Sequence, residues 1–421
     1  MELTEEKRFV KTSIFMLSDT HGMTLDERIP DGPVADVCVH AGDLTEESKL
    51  EEFHSAIALL RRIDAPLKLV IAGNHDFTLD TPSFKQKIRE IKPRLEPTLV
   101  KKFYGDYEEA RQLLLNAKEE HGIHLLNEGT HEFMLPNGGK LRVYANPYTP
   151  SLGDWGFQYR PDDGRNFAIE DGTNIVVTHG PPRGILDRTN NRERAGCPDL
   201  FAAVAKAKPQ IHCFGHIHEG WGAKVVAWRS KLSEKPSFLT DIDNSASSIV
   251  EQLTTLHETK FDSLEDADAK RKKLENYKLH KYCTASVRAR DEGDIGRTLF
   301  VNASIKGDSS SDVDLQLPWL VDVMLSREPD PVDSSAATPS YSKDISAAAS
   351  CGDSSPEEGV QEEQKKLITE STSAKSCRRK LPSERTRYTE KTAWEKRPLE
   401  VDHQAESGSQ PKTRRQLPKN R

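Results

Sequence analysis

Short apolar runs recur through the first half of the chain, and each gives way to a loop of small or polar residues. They lie at Thr12–Leu17, Asp36–His40, Leu67–Ala72, Leu141–Ala145, Asn174–Thr178 and Ile211–Phe214. Near-continuous Val, Ile and Leu over so few residues predicts strands buried on both faces. Between them, Glu46–Ile63 and Tyr107–His121 carry apolar residues at helical spacing and predict amphipathic helices. Strands alternating with helices predict an α/β protein.

The pattern weakens after Trp228. Residues 229–296 contain the polar run SKLSEKPSFLTDIDNSASS and the charge-rich helix candidate FDSLEDADAKRKKLENYKLHK. This stretch reads as a charged insertion, packed loosely on the surface or partly disordered. Strand patterns return at Arg297–Ile305 and Gln316–Val323. The expected organisation is an N-terminal extension over 1–10, one domain over 11–325, and a disordered tail over 326–421 that turns basic at its end.

Composition adds limits. The chain has 421 residues, of which 35% are hydrophobic, with a formal net charge of −7. That charge gives no whole-chain argument for nucleic acid. Its six cysteines form no CxxC pair, which predicts reduced thiols in an intracellular protein. The opening MELTEEKRFVKTS has no apolar run, so no secretory leader is expected. No apolar stretch is long enough for a membrane span, and no membrane partner is expected. In the tail, Arg378-Arg379-Lys380 and Lys412-Thr413-Arg414-Arg415 fit nuclear-import signals as well as a plain solvated tail. The expected location is cytoplasmic, with the nucleus as the alternative. Protein partners for the tail stay unidentified.

Candidate chemistry is concentrated at the ends of the predicted strands. Five motifs follow in order: Ser18-Asp19-Thr20-His21, Gly42-Asp43-Leu44-Thr45-Glu46, Gly73-Asn74-His75-Asp76, Thr178-His179-Gly180 and Gly215-His216-Ile217-His218. They offer Asp19, Asp43, Asn74, His21, His179, His216 and His218 as metal ligands, with His75 to spare. In extended chain, the i and i+2 spacing of Asp19 and His21 puts both on one side, and His216 and His218 repeat the device. Asp43 can bridge two metals through its two oxygens. Oxygen and nitrogen donors without thiolate suit Mn, Fe or Zn. Each motif alone is weak: DxH is common in surface loops, and Gly-Asn is a turn dipeptide. The conjunction at strand ends, where open α/β sheets bind ligands, carries the argument.

These motifs resemble the calcineurin-like metallophosphoesterase superfamily. The strings HAGDLTE, IAGNHD, THGPPRGILD, GHIHEGWG and VNAS are similar to its metallophosphoesterase-domain branch, related to class III cyclic-nucleotide phosphodiesterases. The resemblance implies an αββα sandwich of two mixed sheets flanked by helices, and two divalent metal ions. One ion would be held by Asp19, His21, Asp43 and His218, the other by Asp43, Asn74, His179 and His216. His75 resembles the family's catalytic histidine, which protonates the leaving oxygen. Glu46 sits where the family has an acid orienting that histidine. Asp76 reads as a structural hydrogen-bonding residue.

The implied activity is phosphodiester hydrolysis, with cyclic nucleotides as candidate substrates. A protein phosphatase would carry an Arg after the GDxx(D/E) loop, and Gly42–Ser48 has none. Phosphomonoester hydrolysis and a non-catalytic scaffold on the same fold remain as alternatives. The aromatics of Asn146–Pro150 and Gly153–Phe157 could stack a base or merely pack the rim. Arg183 is a further candidate for phosphate contact.

Overall fold

The computed structural model describes residues 9–23, 33–287, 296–307 and 316–327. The expected tail, its basic clusters and most of the N-terminal extension lie outside the described residues.

Strand β1 (Phe9–Leu17) shows how the sequence builds the layers. Successive side chains of a strand point to opposite faces. Ile14 and Met16 enter one apolar cluster, and Phe15 and Leu17 enter another. After β2 (Val37–His40) come α1 (Leu50–Arg62), β3 (Leu67–Val70), α2 (Thr81–Glu90), α3 (Pro97–Tyr104) and α4 (Glu109–His121). Then follow β4 (Ile123–Leu125), β5 (Gly129–Met134), β6 (Lys140–Asn146), β7 (Thr149–Pro150), β8 (Gln158–Tyr159) and β9 (Ile175–Thr178). The second half adds α5 (Pro198–Ala207), β10 (Ile211–Phe214), β11 (Gly222–Trp228), β12 (Ile242–Gln252), α6 (Leu253–Leu256) and α7 (Leu264–His280). Strands β13 (Cys283–Ser286), β14 (Arg297–Asn302) and β15 (Trp319–Ser326) complete it.

One sheet runs β13-β15-β1-β2-β3-β4, the other β12-β11-β14-β10-β9-β6-β5. Both are mixed. Strands β1, β2 and β3 are mutually parallel, while β15 runs antiparallel to β1. In the second sheet β6, β9, β10 and β14 are parallel, and β11 opposes β14. The largest apolar cluster takes Ile14, Val37 and Leu69 from the first sheet and Val143, Ile175 and Ile211 from the second. The sheets therefore pack face to face. Helices α1 and α4 cover the outer face of the first through Phe53, Leu59, Leu60 and Leu114. Helix α5 covers the second through Leu200, Phe201 and Val204. This is the αββα arrangement.

The six apolar runs all form strands, with ends shifted by a few residues. The helix expected over Glu46–Ile63 starts instead at Leu50. The main-chain N–H groups of Glu47 and Lys49 turn inward to donate to the Glu52 carboxylate, at 3.0 and 2.9 Å. The segment 229–296 differs more. Its described residues contribute β12 and β13, one edge strand of each sheet, rather than packing loosely on the surface. Strand β12 reads as loop because it pairs only with β11 and buries just two of its 11 residues. With so little buried, this strand has no alternating apolar signature to read. The charge-rich candidate is helix α7, capped by Ser263 and burying no residue.

Candidate metal centre

The carboxyl ends of β1, β2 and β3 lie side by side in one sheet, those of β9 and β10 in the other. Each carries one motif, and the loops bond directly to one another. Asp19 N donates to Gly42 O at 2.9 Å, His21 N to Asp43 O at 3.0 Å, and Gly215 N to His179 O at 2.9 Å. Asp19, His21, Asp43 and His216 all have left-handed backbones, with φ of 56°, 46°, 52° and 68°. That region is costly for residues with a Cβ and persists only where surroundings impose it, typically at functional sites. Close approach also explains two motif glycines. A Cβ on Gly42, itself at φ 99°, would stand 2.6 Å from His179 Nδ1, and one on Gly73 would collide with the Asp43 carboxylate.

The structure brings all seven candidate ligands together. Asp19, His21 and His218 form one cluster with donor atoms within 4.8 Å of one another, and Asp43, His179 and His216 form a second. Asp43 lies between them: its Oδ2 is 3.6 Å from His21 Nε2 and 3.3 Å from His179 Nε2. Asn74 joins the second cluster, with Oδ1 3.0 Å from His179 Nε2. Asp19 Oδ1 is 3.3 Å from His218 Nε2. A third cluster sets His75 beside His21 and Asp43.

Burial opposes charge on both carboxylates, but the surrounding imidazoles prevail. His218 holds Asp19 below the usual carboxylate range, and His179 with His75 holds Asp43 well below it. His179 gives the reverse picture: burial disfavours its proton, yet Asp43 raises it to about 9. Burial, with His179 beside it, drives His216 down to about 3. Two buried carboxylates set among imidazole nitrogens give the centre the donors a cation needs.

Supporting contacts orient the donors. His179 Nδ1 donates to Ala41 O at 2.9 Å, which fixes the tautomer and leaves Nε2 as the donor toward the cluster. Asp76 is buried and accepts from Gly73 N, Leu44 N, Thr45 N and Thr45 Oγ1 at 2.7–3.1 Å. It thus ties the second motif to the third by hydrogen bonds, as expected. Glu46 departs from expectation. Its main-chain oxygen accepts from His75 Nδ1 at 2.6 Å. Its carboxylate lies 3.1 Å from His21 Nδ1 and pairs with Lys306.

Several supporting residues lie outside the five motifs. His40 and His212 are buried, and each bonds a threonine beside a ligand: Thr20 at 3.0 Å and Thr178 at 2.9 Å. Asn302 Nδ2 donates to the Ile217 carbonyl at 2.8 Å, between His216 and His218. Trp155 stacks on His75. Tyr148 carries the Arg165 guanidinium 3.7 Å from its ring centroid. Phe157 meets Tyr148 edge-on, so all three aromatics of these runs pack against protein groups. Arg183 is exposed and bonds the Arg194 carbonyl at 3.5 Å.

Residues 13–220 match the profile of the calcineurin-like phosphoesterase family. These residues form a domain of this family. It is 32% identical over 216 residues to metallophosphoesterase domain-containing protein 1 of Homo sapiens, a match covering 50% of this chain and 62% of that protein. It is 33% identical over 217 residues to a UPF0046 protein of Caenorhabditis elegans, covering 48% and 50% respectively. A probable rhamnogalacturonate lyase C of Emericella nidulans matches at 33% over 219 residues, but only across 18% of its length. The match thus spans less than two thirds of the length of each of these three relatives. Within the phosphoesterase domain, the donor set fits divalent cations. His21 Nε2 is buried among two carboxylates without a hydrogen-bond partner, as a ligand nitrogen aimed at a cation would be. Among the described residues, no helix is long and apolar enough to cross a membrane.

Proposed function

We propose that the protein is a metal-dependent phosphoesterase that hydrolyses phosphodiesters at this centre. The observation that carries the reading is the convergence of seven oxygen and nitrogen donors on two clusters that share the Asp43 carboxylate. Asp19, His21, Asp43 and His218 would hold one ion, and Asp43, Asn74, His179 and His216 the other. Mn, Fe and Zn suit such donors. Two such ions, when bound, make a water acidic enough to attack near neutral pH and neutralise phosphoryl charge.

The chain's own groups supply the rest. His75 Nδ1 must donate to Glu46 O, because a carbonyl only accepts. That leaves Nε2 to carry the catalytic proton. Attack of the water oxygen on phosphorus breaks the ester P–O bond, the departing oxygen takes the Nε2 proton, and the proton released by the water restores His75. One water is consumed; a linear diester gives a phosphomonoester and an alcohol, a cyclic one a single ring-opened phosphomonoester. The Gly42–Ser48 loop holds no arginine for a protein-bound phosphate, which favours diesters over phosphoproteins. Cyclic nucleotides belong to the class that fits.

A substrate panel tests the reading. Cyclic nucleotides, linear phosphodiesters and phosphomonoesters are offered to the full chain with Mn²⁺, Zn²⁺ or Mg²⁺. The expected result is metal-dependent diester hydrolysis. Hydrolysis of monoesters alone, or of none, would overturn it.

A further inference from the structure

Among the described residues, the His75 ring makes one hydrogen bond, from Nδ1 to the Glu46 carbonyl. A single bond fixes one atom and leaves the ring plane loose, because the terminal torsion of histidine is broad. The plane is set by two neighbouring rings. His21 meets it edge-on, with centroids 4.6 Å apart and planes at 77°. Trp155 stacks on it, with centroids 4.3 Å apart and planes at 28°.

The indole is itself held on several sides. Trp155 N donates to Gln158 Oε1 at 3.2 Å. The next residue, Gly156, donates to the Asn74 carbonyl at 3.0 Å, clipping this loop to the motif that carries His75. A Cβ on Gly156 would approach Phe77 Cα to 2.7 Å, so the clip needs glycine. The Lys87 ammonium lies 4.8 Å from the Trp155 ring centroid, 5.1 Å from that of Phe77 and 3.5 Å from the Asp154 carboxylate. Lys87 is only 5% exposed. Behind it, Phe77, Phe84 and Tyr104 form a small apolar cluster on and beside helices α2 and α3, against which Trp155 packs. Trp155, Phe77 and Phe84 can neither ligate a metal nor exchange a proton near neutral pH.

We infer that Trp155 is a positioning residue for His75. Its indole fixes the imidazole plane so that Nε2 faces the leaving oxygen, and Lys87 with the aromatic cluster holds the indole in place. The inference rests on the reading of His75 as proton donor. Its rival is an indole that serves as a platform for a substrate base.

The test uses the full chain loaded with Mn²⁺, and the variants Trp155→Phe, Trp155→Leu, His75→Asn and the double variant Trp155→Leu/His75→Asn. Bound metal, kcat and KM are measured on p-nitrophenyl and unsubstituted phenyl phosphodiesters. Trp155→Leu stays apolar but loses the flat ring. It is expected to retain its metal and KM and to lose kcat by about 10²-fold, the scale of a small misplacement of a reacting group. The loss is expected to be larger on the phenyl ester, whose leaving oxygen depends more on the proton. Trp155→Phe is expected to recover most of the rate. In the His75→Asn background, Trp155→Leu is expected to add no further loss, as for two residues acting as one unit. An additive loss, a loss carried by KM, or release of metal would overturn the positioning role. Full activity in His75→Asn alone would instead overturn the reading of His75.

Discussion

The main-chain oxygen of Glu46 lies 2.6 Å from His75 Nδ1, while the carboxylate of the same residue faces His21 Nδ1 at 3.1 Å. One residue thus holds the proton donor through its backbone and a candidate ligand through its side chain. The contact with His21, aided by Lys306 against the cost of burial, brings the Glu46 carboxyl down to about 2. Glu46→Gln is therefore expected to leave His75 oriented and to weaken metal binding by about 10- to 100-fold, as loss of a ligand-orienting partner does. Metal titration against activity checks this. At saturating metal, kcat should return to near the parent value. A kcat deficit that persists there would place the carboxylate in the chemistry itself.

Metal should also stabilise the fold. A ligand that binds only the native state adds about 2.7 kcal/mol at a concentration 100 times its Kd. Chelation is expected to lower Tm, and Mn²⁺ or Zn²⁺ to restore it. In Gly73→Ala the new Cβ meets the Asp43 carboxylate. That variant is expected to keep its far-UV circular dichroism and lose the metal-dependent rise in Tm. A full rise in Gly73→Ala would show that the cations bind elsewhere.

The strand ends were legible in the sequence because each chemical motif directly follows a buried apolar run, as Asp19 follows Thr12–Leu17. The αββα layering came from resemblance, since periodicity alone does not say how many sheets the strands form. Three kinds of feature stayed hidden. Strand β12 pairs on one edge only and has no alternation to read. Trp155 and Lys87 act by packing, which has no motif. Glu46 was identified as a partner of His75, but a sequence does not show whether a residue works through its carboxylate or its carbonyl.

His212 carries a prediction about pH. It is buried between Phe214 and Phe300, and burial drives its pKa from 6.5 to about 3. The unfolded chain binds this proton below about pH 6.5, and the folded chain does not until about pH 3. The unfolded state then holds more protons, so stability falls as pH drops through that window, by up to about 1.4 kcal/mol per unit. His212→Phe removes the group together with its bond to Thr178, so slopes rather than absolute stabilities are compared. Urea unfolding at pH 7 and pH 5 should give a smaller decline in the variant. Equal declines would show that His212 titrates normally.

The central claim is that seven donors hold metal for phosphoester hydrolysis while His75 supplies a proton without holding metal. Metal stoichiometry and turnover of bis-(p-nitrophenyl) phosphate, measured together on the parent and His75→Asn, test it most directly. The expected result is two equivalents of metal in both proteins, with turnover in the variant reduced by about 10²- to 10⁴-fold, the usual worth of general acid catalysis. Parent-like turnover in His75→Asn, or loss of metal with the histidine, would contradict the account.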